Sequence, residues 1–179
     1  MRWIALIPVL AAAAACGGGE AEQNKTATKA ASLAAGQWEL TSEVTAFSVV
    51  DGGTAQIDTP VGTRETHSVC VGGGRPPSAL FAGEGYRCRY DNYYGRNGRV
   101  NATMMCSREG LSGSIPITAD GQFTADTHDY TRDLRTALSG DGDVQITARV
   151  TGRRTGDCTP QAAGDNESAG DNASDGGEG

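Results

Sequence analysis

The chain has 179 residues, 26 of them glycine, and only 6% of its residues are aromatic. This length favours one domain, and so few large apolar side chains leave a small core that disulfides would help to stabilise. The formal net charge is −7 with no block of basic residues, which argues against nucleic-acid binding because affinity for a phosphate backbone requires many cations.

The first segment of the chain is typical of an export signal. Met1 and Arg2 are followed by an apolar run over residues 3–15 that only Pro8 interrupts. At 1.5 Å per residue this run covers about 20 Å, which is too short for a hydrocarbon layer of about 30 Å. We therefore predict a cleaved signal peptide over residues 1–15 and export to the cell envelope.

Cys16 follows a run of alanines that ends in Ala13, Ala14 and Ala15, and it precedes Gly17. This junction resembles a lipobox, in which the cysteine is acylated and becomes the new N-terminus. The resemblance implies a membrane anchor at Cys16, and Gly17 implies an outer-membrane lipoprotein that faces the periplasm, with residues 16–35 as a flexible tether. The alternative is ordinary cleavage within the alanine run, which would give a soluble periplasmic protein.

Apolar and polar residues alternate repeatedly between residues 36 and 158, as expected for antiparallel strands with one buried face. The apolar members are Trp38, Leu40 and Val44; Tyr86, Cys88 and Tyr90; Val100, Ala102, Met104 and Cys106; Leu111, Ile115 and Ile117; and Val144, Ile146, Ala148 and Val150. Glycine-rich turns separate these runs. The fold class is predicted to be all-β, an antiparallel meander that forms a curved sheet or a small barrel. Short helical turns are predicted at residues 76–81 and, more weakly, at residues 132–139.

Four cysteines remain once Cys16 is assigned to lipid: Cys70, Cys88, Cys106 and Cys158. In an oxidising compartment this even set predicts two disulfides, and their spacing does not suggest a metal site. A hairpin folded about Asn97 places Cys88 opposite Cys106, so Cys70–Cys158 follows by elimination. A slip of one residue in that hairpin would leave the other pairings open.

The C-terminal segment, residues 159–179, has five acids, no base and no large apolar residue. Such a segment buries too little surface to offset its ordering entropy, so we predict a disordered acidic tail.

Three segments resemble a bacterial family known as domain of unknown function 3617. Residues 36–43 (GQWELTSE) resemble its first strand, Cys70-Val71 the start of its first cysteine segment, and residues 148–158 (ARVTGRRTGDC) its last strand. Cys88 and Cys106 fall where the family has its inner pair. The resemblance covers residues 36–158 and implies an exported, β-rich protein, but no activity.

The candidate catalytic and binding residues are few. Ser68, His128 and Asp129 would supply a Ser-His-Asp set, and His67 is the second histidine, but no nucleophile elbow accompanies them and structural histidines are favoured. The acidic turn at residues 140–143 lacks the carboxylates of a calcium loop. Arginines and tyrosines at residues 86–99 fit an amphipathic strand better than a single-strand-binding surface. We predict no catalytic residue, metal or cofactor, and assign no ligand site.

We therefore expect a non-enzymatic envelope lipoprotein that binds a small apolar or lipidic ligand in a curved sheet or barrel mouth. The alternative is a structural or stress-related envelope lipoprotein that acts through protein–protein contacts at a sheet edge. An apolar cavity of several hundred cubic ångströms would favour the first function, and a filled interior with an exposed edge the second.

Overall fold

A computed structural model of the chain describes residues 32–159. The predicted signal peptide, Cys16, most of the tether and the tail from residue 160 lie outside the described residues. Inside them the chain forms β1 (Gly36–Val49), β2 (Arg64–Val71), α1 (Ala79–Ala82), β3 (Tyr86–Arg96), β4 (Arg99–Arg108), β5 (Gly113–Phe123), β6 (Thr127–Arg135), β7 (Ala137–Leu138) and β8 (Val144–Gly156).

The strands form one antiparallel sheet in the order β2-β1-β8-β6-β5-β4-β3, with the short β7 paired to β5. This confirms the predicted all-β fold as a curved sheet that closes about half of a barrel. Strands β3 to β6 follow one another as a meander. Strand β8 departs from that order, because it pairs with both β1 and β6 and so lies in the middle of the sheet.

The core lies on the concave face of the sheet, where alternate residues of each strand point inward. Trp38 and Leu40 of β1 are fully buried there, as is Ile117 of β5. The short helix α1 contacts both β2 and β3, the two end strands of the sheet, and buries Leu80 and Phe81. It therefore fills part of the concave side between the two sheet edges.

The β3–β4 hairpin turns at Asn97 and Gly98, whose φ angles of 54° and 69° define a turn that matches the twist of the strands. A hairpin folded about Asn97 would place Arg96 opposite Gly98. Instead Arg96 pairs with Arg99, so the register next to the turn is shifted by one position. A bulge between Tyr90 and Asn92 restores the expected register farther along.

Both disulfides join the pairs that the register argument predicts. Cys88 lies opposite Cys106, with 4.0 Å between their Cα atoms, and Cys70 is bonded to Cys158 across 5.4 Å. Cys70 lies on β2 and Cys158 just beyond β8, and β1 runs between these two strands. The second disulfide therefore ties the segment just after β8 to β2, at an edge of the sheet.

The predicted helical turn over residues 76–81 is present as α1, but the one over residues 132–139 is wrong. That segment contains the end of β6 and all of β7. Arg132 and Leu134 point into the core while Asp133 and Arg135 are exposed. Because an arginine occupies an inward position of this strand, its residues do not show the regular alternation of apolar and polar side chains that indicates a strand.

Candidate functional site

The concave interior is only partly filled. A cavity of about 580 Å³ remains between α1 and the inner faces of β1, β2, β6 and β8, a size in the usual range for ligand pockets. The exposed residues Glu65 and Glu84 are part of its lining, so the cavity reaches solvent.

The cavity is lined by both apolar and polar side chains. Val44, Leu134 and Ile146 contribute apolar side chains from three strands, and Ile57 adds another from the loop between β1 and β2. All four are at least nine-tenths buried. Ser42 and Arg132 are among the polar residues of the lining, so a molecule in the cavity would meet both kinds of side chain.

Arg132 is the one buried arginine among residues 32–159, with 9% of its surface exposed. Its Nη1 donates a hydrogen bond to the carbonyl oxygen of Ala82 at 2.9 Å, and its Nη2 donates to Ser42 Oγ at 3.1 Å. No carboxylate of the described residues forms an ion pair with it. The hydrogen bonds of the guanidinium group therefore go to neutral acceptors, and no negative charge is paired with it among the described residues.

The local packing explains how Arg132 reaches Ser42. Ala148 of β8 is paired with both Arg132 and Val44, so it lies between β6 and β1 on the inner face. Its small, fully buried side chain leaves room for the arginine to extend across β8 toward Ser42 on β1.

Two inward residues of β6 hold the helix α1. The last carbonyl groups of a helix have no partner within the helix. Tyr130 donates its hydroxyl hydrogen to the carbonyl oxygen of Leu80 at 2.6 Å, and Arg132 donates to that of Ala82. Tyr130 and Arg132 thus have the same structural role toward α1, but only Arg132 carries a charge.

His128 is buried elsewhere on the same strand. Its ring is stacked between Trp38 and Tyr130, at centroid distances of 5.4 and 5.1 Å, and a side chain at Gly152 would collide with it. Neither ring nitrogen has a hydrogen-bond partner within residues 32–159. Burial lowers the pKa of His128 from 6.5 to about 4, which the charge of Asp129 partly opposes. The ring is therefore neutral at pH 7.

The structure does not bring Ser68, His128 and Asp129 together. The His128 ring points into the core, whereas the Asp129 carboxylate lies on the outer face and pairs with Arg149. Ser68 is exposed on β2, at one end of the sheet. The other histidine, His67, lines the cavity, with Nε2 3.4 Å from the carbonyl oxygen of Ala79.

The acidic segment at residues 140–143 forms the turn that leads into β8. Asp143 Oδ1 accepts hydrogen bonds from Thr136 Oγ1 and from the backbone N–H of Leu138. Asp51, in the loop after β1, accepts the backbone N–H groups of Gly142 and Asp143. These carboxylates fasten loops together. Across the described part of the chain, no group of three or more side chains is placed to hold a metal ion.

The sequence analysis missed Arg132 and Ser42. The available signal was a polar residue at an inward position, since Arg132 falls between Tyr130 and Leu134 and Ser42 between Leu40 and Val44. Each residue alone resembles an interruption of its strand. Only the pairing of the strands shows that the two interruptions meet.

Among residues 32–159, no helix is long and apolar enough to cross a membrane.

Comparison with known proteins gives one match. The sequence model of a family described as protein of unknown function (DUF3617) matches residues 33–158. No curated protein and no solved structure matches the chain. The matched range contains the whole sheet, both disulfides and the residues that line the cavity.

Proposed function

Because the chain belongs to the DUF3617 family, whose function is unknown, we propose its function from its own geometry. The protein is an exported envelope lipoprotein that binds a small apolar or lipidic ligand inside the half-barrel. The observation that carries this proposal is the cavity of about 580 Å³ on the concave face, walled partly by aliphatic side chains.

The surroundings of the cavity support a binding role. Its apolar side chains lie on strands in the middle of an extensively paired sheet, so their positions are firmly held. The helix α1 covers the cavity from the other side through Ala82. We propose binding rather than catalysis, since the His128 ring is buried in the core whereas Ser68 and Asp129 are exposed.

The envelope location rests on residues 1–16 and receives support from the disulfides, which persist in oxidising compartments. We propose an acyl anchor on Cys16, an outer-membrane position facing the periplasm, and membrane contact through that anchor; a soluble periplasmic form is the alternative. Mass spectrometry of the mature N-terminus tests this. We expect acylated Cys16, and an unmodified N-terminal residue would refute the anchor.

The alternative function, a structural or stress-related lipoprotein that binds an envelope protein, would use a sheet edge. Strands β2 and β3 end the sheet, and a long unpaired edge is a template for strand addition. However, Arg87, Arg89 and Arg96 are exposed along β3, and charged side chains protect an edge from such pairing. The cavity therefore supports ligand binding better than the edge supports a partner.

Native purification from the envelope, followed by extraction and mass spectrometry of small molecules, tests the ligand proposal. We expect the wild-type chain to carry an apolar or lipidic molecule, and a Val44→Trp variant, in which the larger ring occupies the cavity, to lose it. Val49→Trp is the control, because Val49 lies on the same strand but is exposed and outside the cavity. A wild-type protein without a ligand, or equal amounts in all three proteins, would refute the proposal.

A further inference from the structure

The charges around the cavity restrict the kind of ligand that it would take. Four charged side chains contribute to the lining: Glu65, Glu84, Arg108 and Arg132. Glu65 and Glu84 are exposed, and Arg108 is partly exposed, with its guanidinium over the Tyr86 ring at 5.2 Å. Water screens these three charges, so the charge that acts most strongly on a bound molecule is that of Arg132.

Burying a guanidinium is costly unless an anion or several hydrogen bonds compensate for it. Arginine has five N–H groups, and two of those of Arg132 donate to acceptors, both of them neutral. Planar guanidinium groups bind carboxylates and phosphates with strong, charge-assisted hydrogen bonds. An anionic group in the cavity would therefore supply the compensation that the protein itself does not.

We propose that the ligand is an anionic amphiphile. Its carboxylate or phosphate binds Arg132, and its apolar part lies along Val44, Leu134 and Ile146. This inference rests on the proposed function and adds the class of ligand. It also assigns Arg132 two roles, since the same guanidinium holds α1 through the carbonyl oxygen of Ala82.

The two roles of Arg132 can be separated with its neighbour Tyr130. Tyr130→Phe removes a hydrogen bond to α1 without changing any charge, because the lost hydroxyl donates to the carbonyl oxygen of Leu80. Arg132→Met removes both the hydrogen bond to α1 and the charge while it keeps an unbranched side chain. Arg132→Lys keeps the charge and serves as the second variant in case Arg132→Met does not fold.

Calorimetric titration of the full chain with decanoate, decyl phosphate and decanol tests the inference. All proteins carry Cys16→Ser so that no acyl anchor competes for the cavity. Circular dichroism and the presence of both disulfides are used to check that each protein is folded. We expect the wild-type chain to bind at least one of the two anions about tenfold to a hundredfold more tightly than decanol, the range expected for hydrogen bonds to a charged group. Whichever of decanoate and decyl phosphate binds more tightly indicates whether the anionic group of the ligand is a carboxylate or a phosphate.

We further expect Arg132→Met to lose this preference, and Tyr130→Phe and Arg132→Lys to keep it. Equal binding of decanol and both anions by the wild-type chain would refute the inference and leave the proposed function intact. Loss of the preference in Tyr130→Phe would also refute it, because the effect would then come from α1. If none of the three compounds binds, the proposed function fails together with the inference.

Discussion

At the scale of single residues, four polar side chains are buried among residues 32–159: Ser42, His128, Arg132 and Thr136. Ser42 and Arg132 are hydrogen-bonded to each other, whereas both nitrogens of His128 lack a partner among the described residues. Aromatic rings and Gly152 surround His128, so the site accepts a flat, neutral ring. An imidazolium there would be a buried charge without compensation.

His128 should make the protein less stable in acid. Its pKa is about 4 in the folded chain and near the ordinary 6.5 in the unfolded chain, so the unfolded chain binds more protons between these values. The contribution of neutral His128 to the free energy of unfolding is fully present above pH 6.5. It falls as the pH drops toward 4, by on the order of 3 kcal/mol in total. His128→Phe keeps the stacked ring and should flatten this part of the stability curve.

Urea unfolding across this pH range measures the slope. His67→Phe is the matched control, since His67 is the only other histidine and is partly exposed. We expect the control to keep most of the slope of the wild-type protein, because burial lowers the pKa of His128 more than the charge of His67 does. The same slope in His128→Phe and in wild-type protein would contradict the assignment.

At the scale of elements, α1 shows how the sheet stabilises a segment that could not fold alone. A helix of four residues is far below the length at which helices are stable in water. Phe81 packs against the rings of Tyr90, Tyr93 and Tyr130, with centroid distances of 5.4–6.4 Å. Burial and the hydrogen bonds from β6 therefore hold α1 in place.

The bulge in β3 decides which residues of the hairpin face the core. Tyr90 and Tyr93 would lie on opposite faces of a regular strand, because three positions separate them. The unpaired Asp91 turns both rings inward toward Phe81. Because Asp91 is left out of the pairing, Cys88 lies opposite Cys106 despite the extra residue in β3.

Single deletions in the two arms of this hairpin should have different effects on the disulfide. Deleting Asp91 removes the extra residue and leaves the pairing on both sides of it unchanged, so Cys88 stays opposite Cys106. Deleting Thr103 from β4 shifts that strand by one position and places Cys88 opposite Ser107. Peptide mapping without reduction should find the Cys88–Cys106 link only in the first variant. Its loss from the Asp91 deletion would show that the bulge itself is required.

At the scale of the whole molecule, the sheet is open and its two end strands do not pair. A disulfide secures the strand at each end of the sheet, since Cys88–Cys106 joins β3 to β4 and Cys70–Cys158 joins β2 to the segment just after β8. On the outer face, Glu39 and Arg153 form an exposed ion pair across β1 and β8. Exposed pairs of this kind add little stability, so the covalent links matter more.

The two disulfides should contribute unequally to stability. They close segments of 88 residues for Cys70–Cys158 and 18 residues for Cys88–Cys106. In the chain-entropy model these loops correspond to about 4.5 and about 3 kcal/mol. The double variant Cys70→Ala/Cys158→Ala should therefore be less stable than Cys88→Ala/Cys106→Ala in urea unfolding. The opposite order would show that local packing outweighs loop length.

Much of the fold follows from the sequence alone. Alternation indicates the inner face of β1, β4 and β8, because side chains of a strand point alternately to its two faces. Asn97 and Gly98 specify their turn because they tolerate positive φ. Where the alternation is broken, as at Arg132, the same reasoning predicted a helical turn in place of the end of β6 and all of β7.

The candidate site could not be found in this way. Ser42 and Arg132 are 90 residues apart, and nothing local to either indicates the other. They meet because β8, the last strand within residues 32–159, lies between β1 and β6 in the sheet. Local sequence patterns determined the regularly alternating strands, the turns between them and the set of cysteines, since these depend on residues near one another. The cavity and its buried arginine were decided only by the tertiary structure, because the strand order brings distant residues together on one concave face.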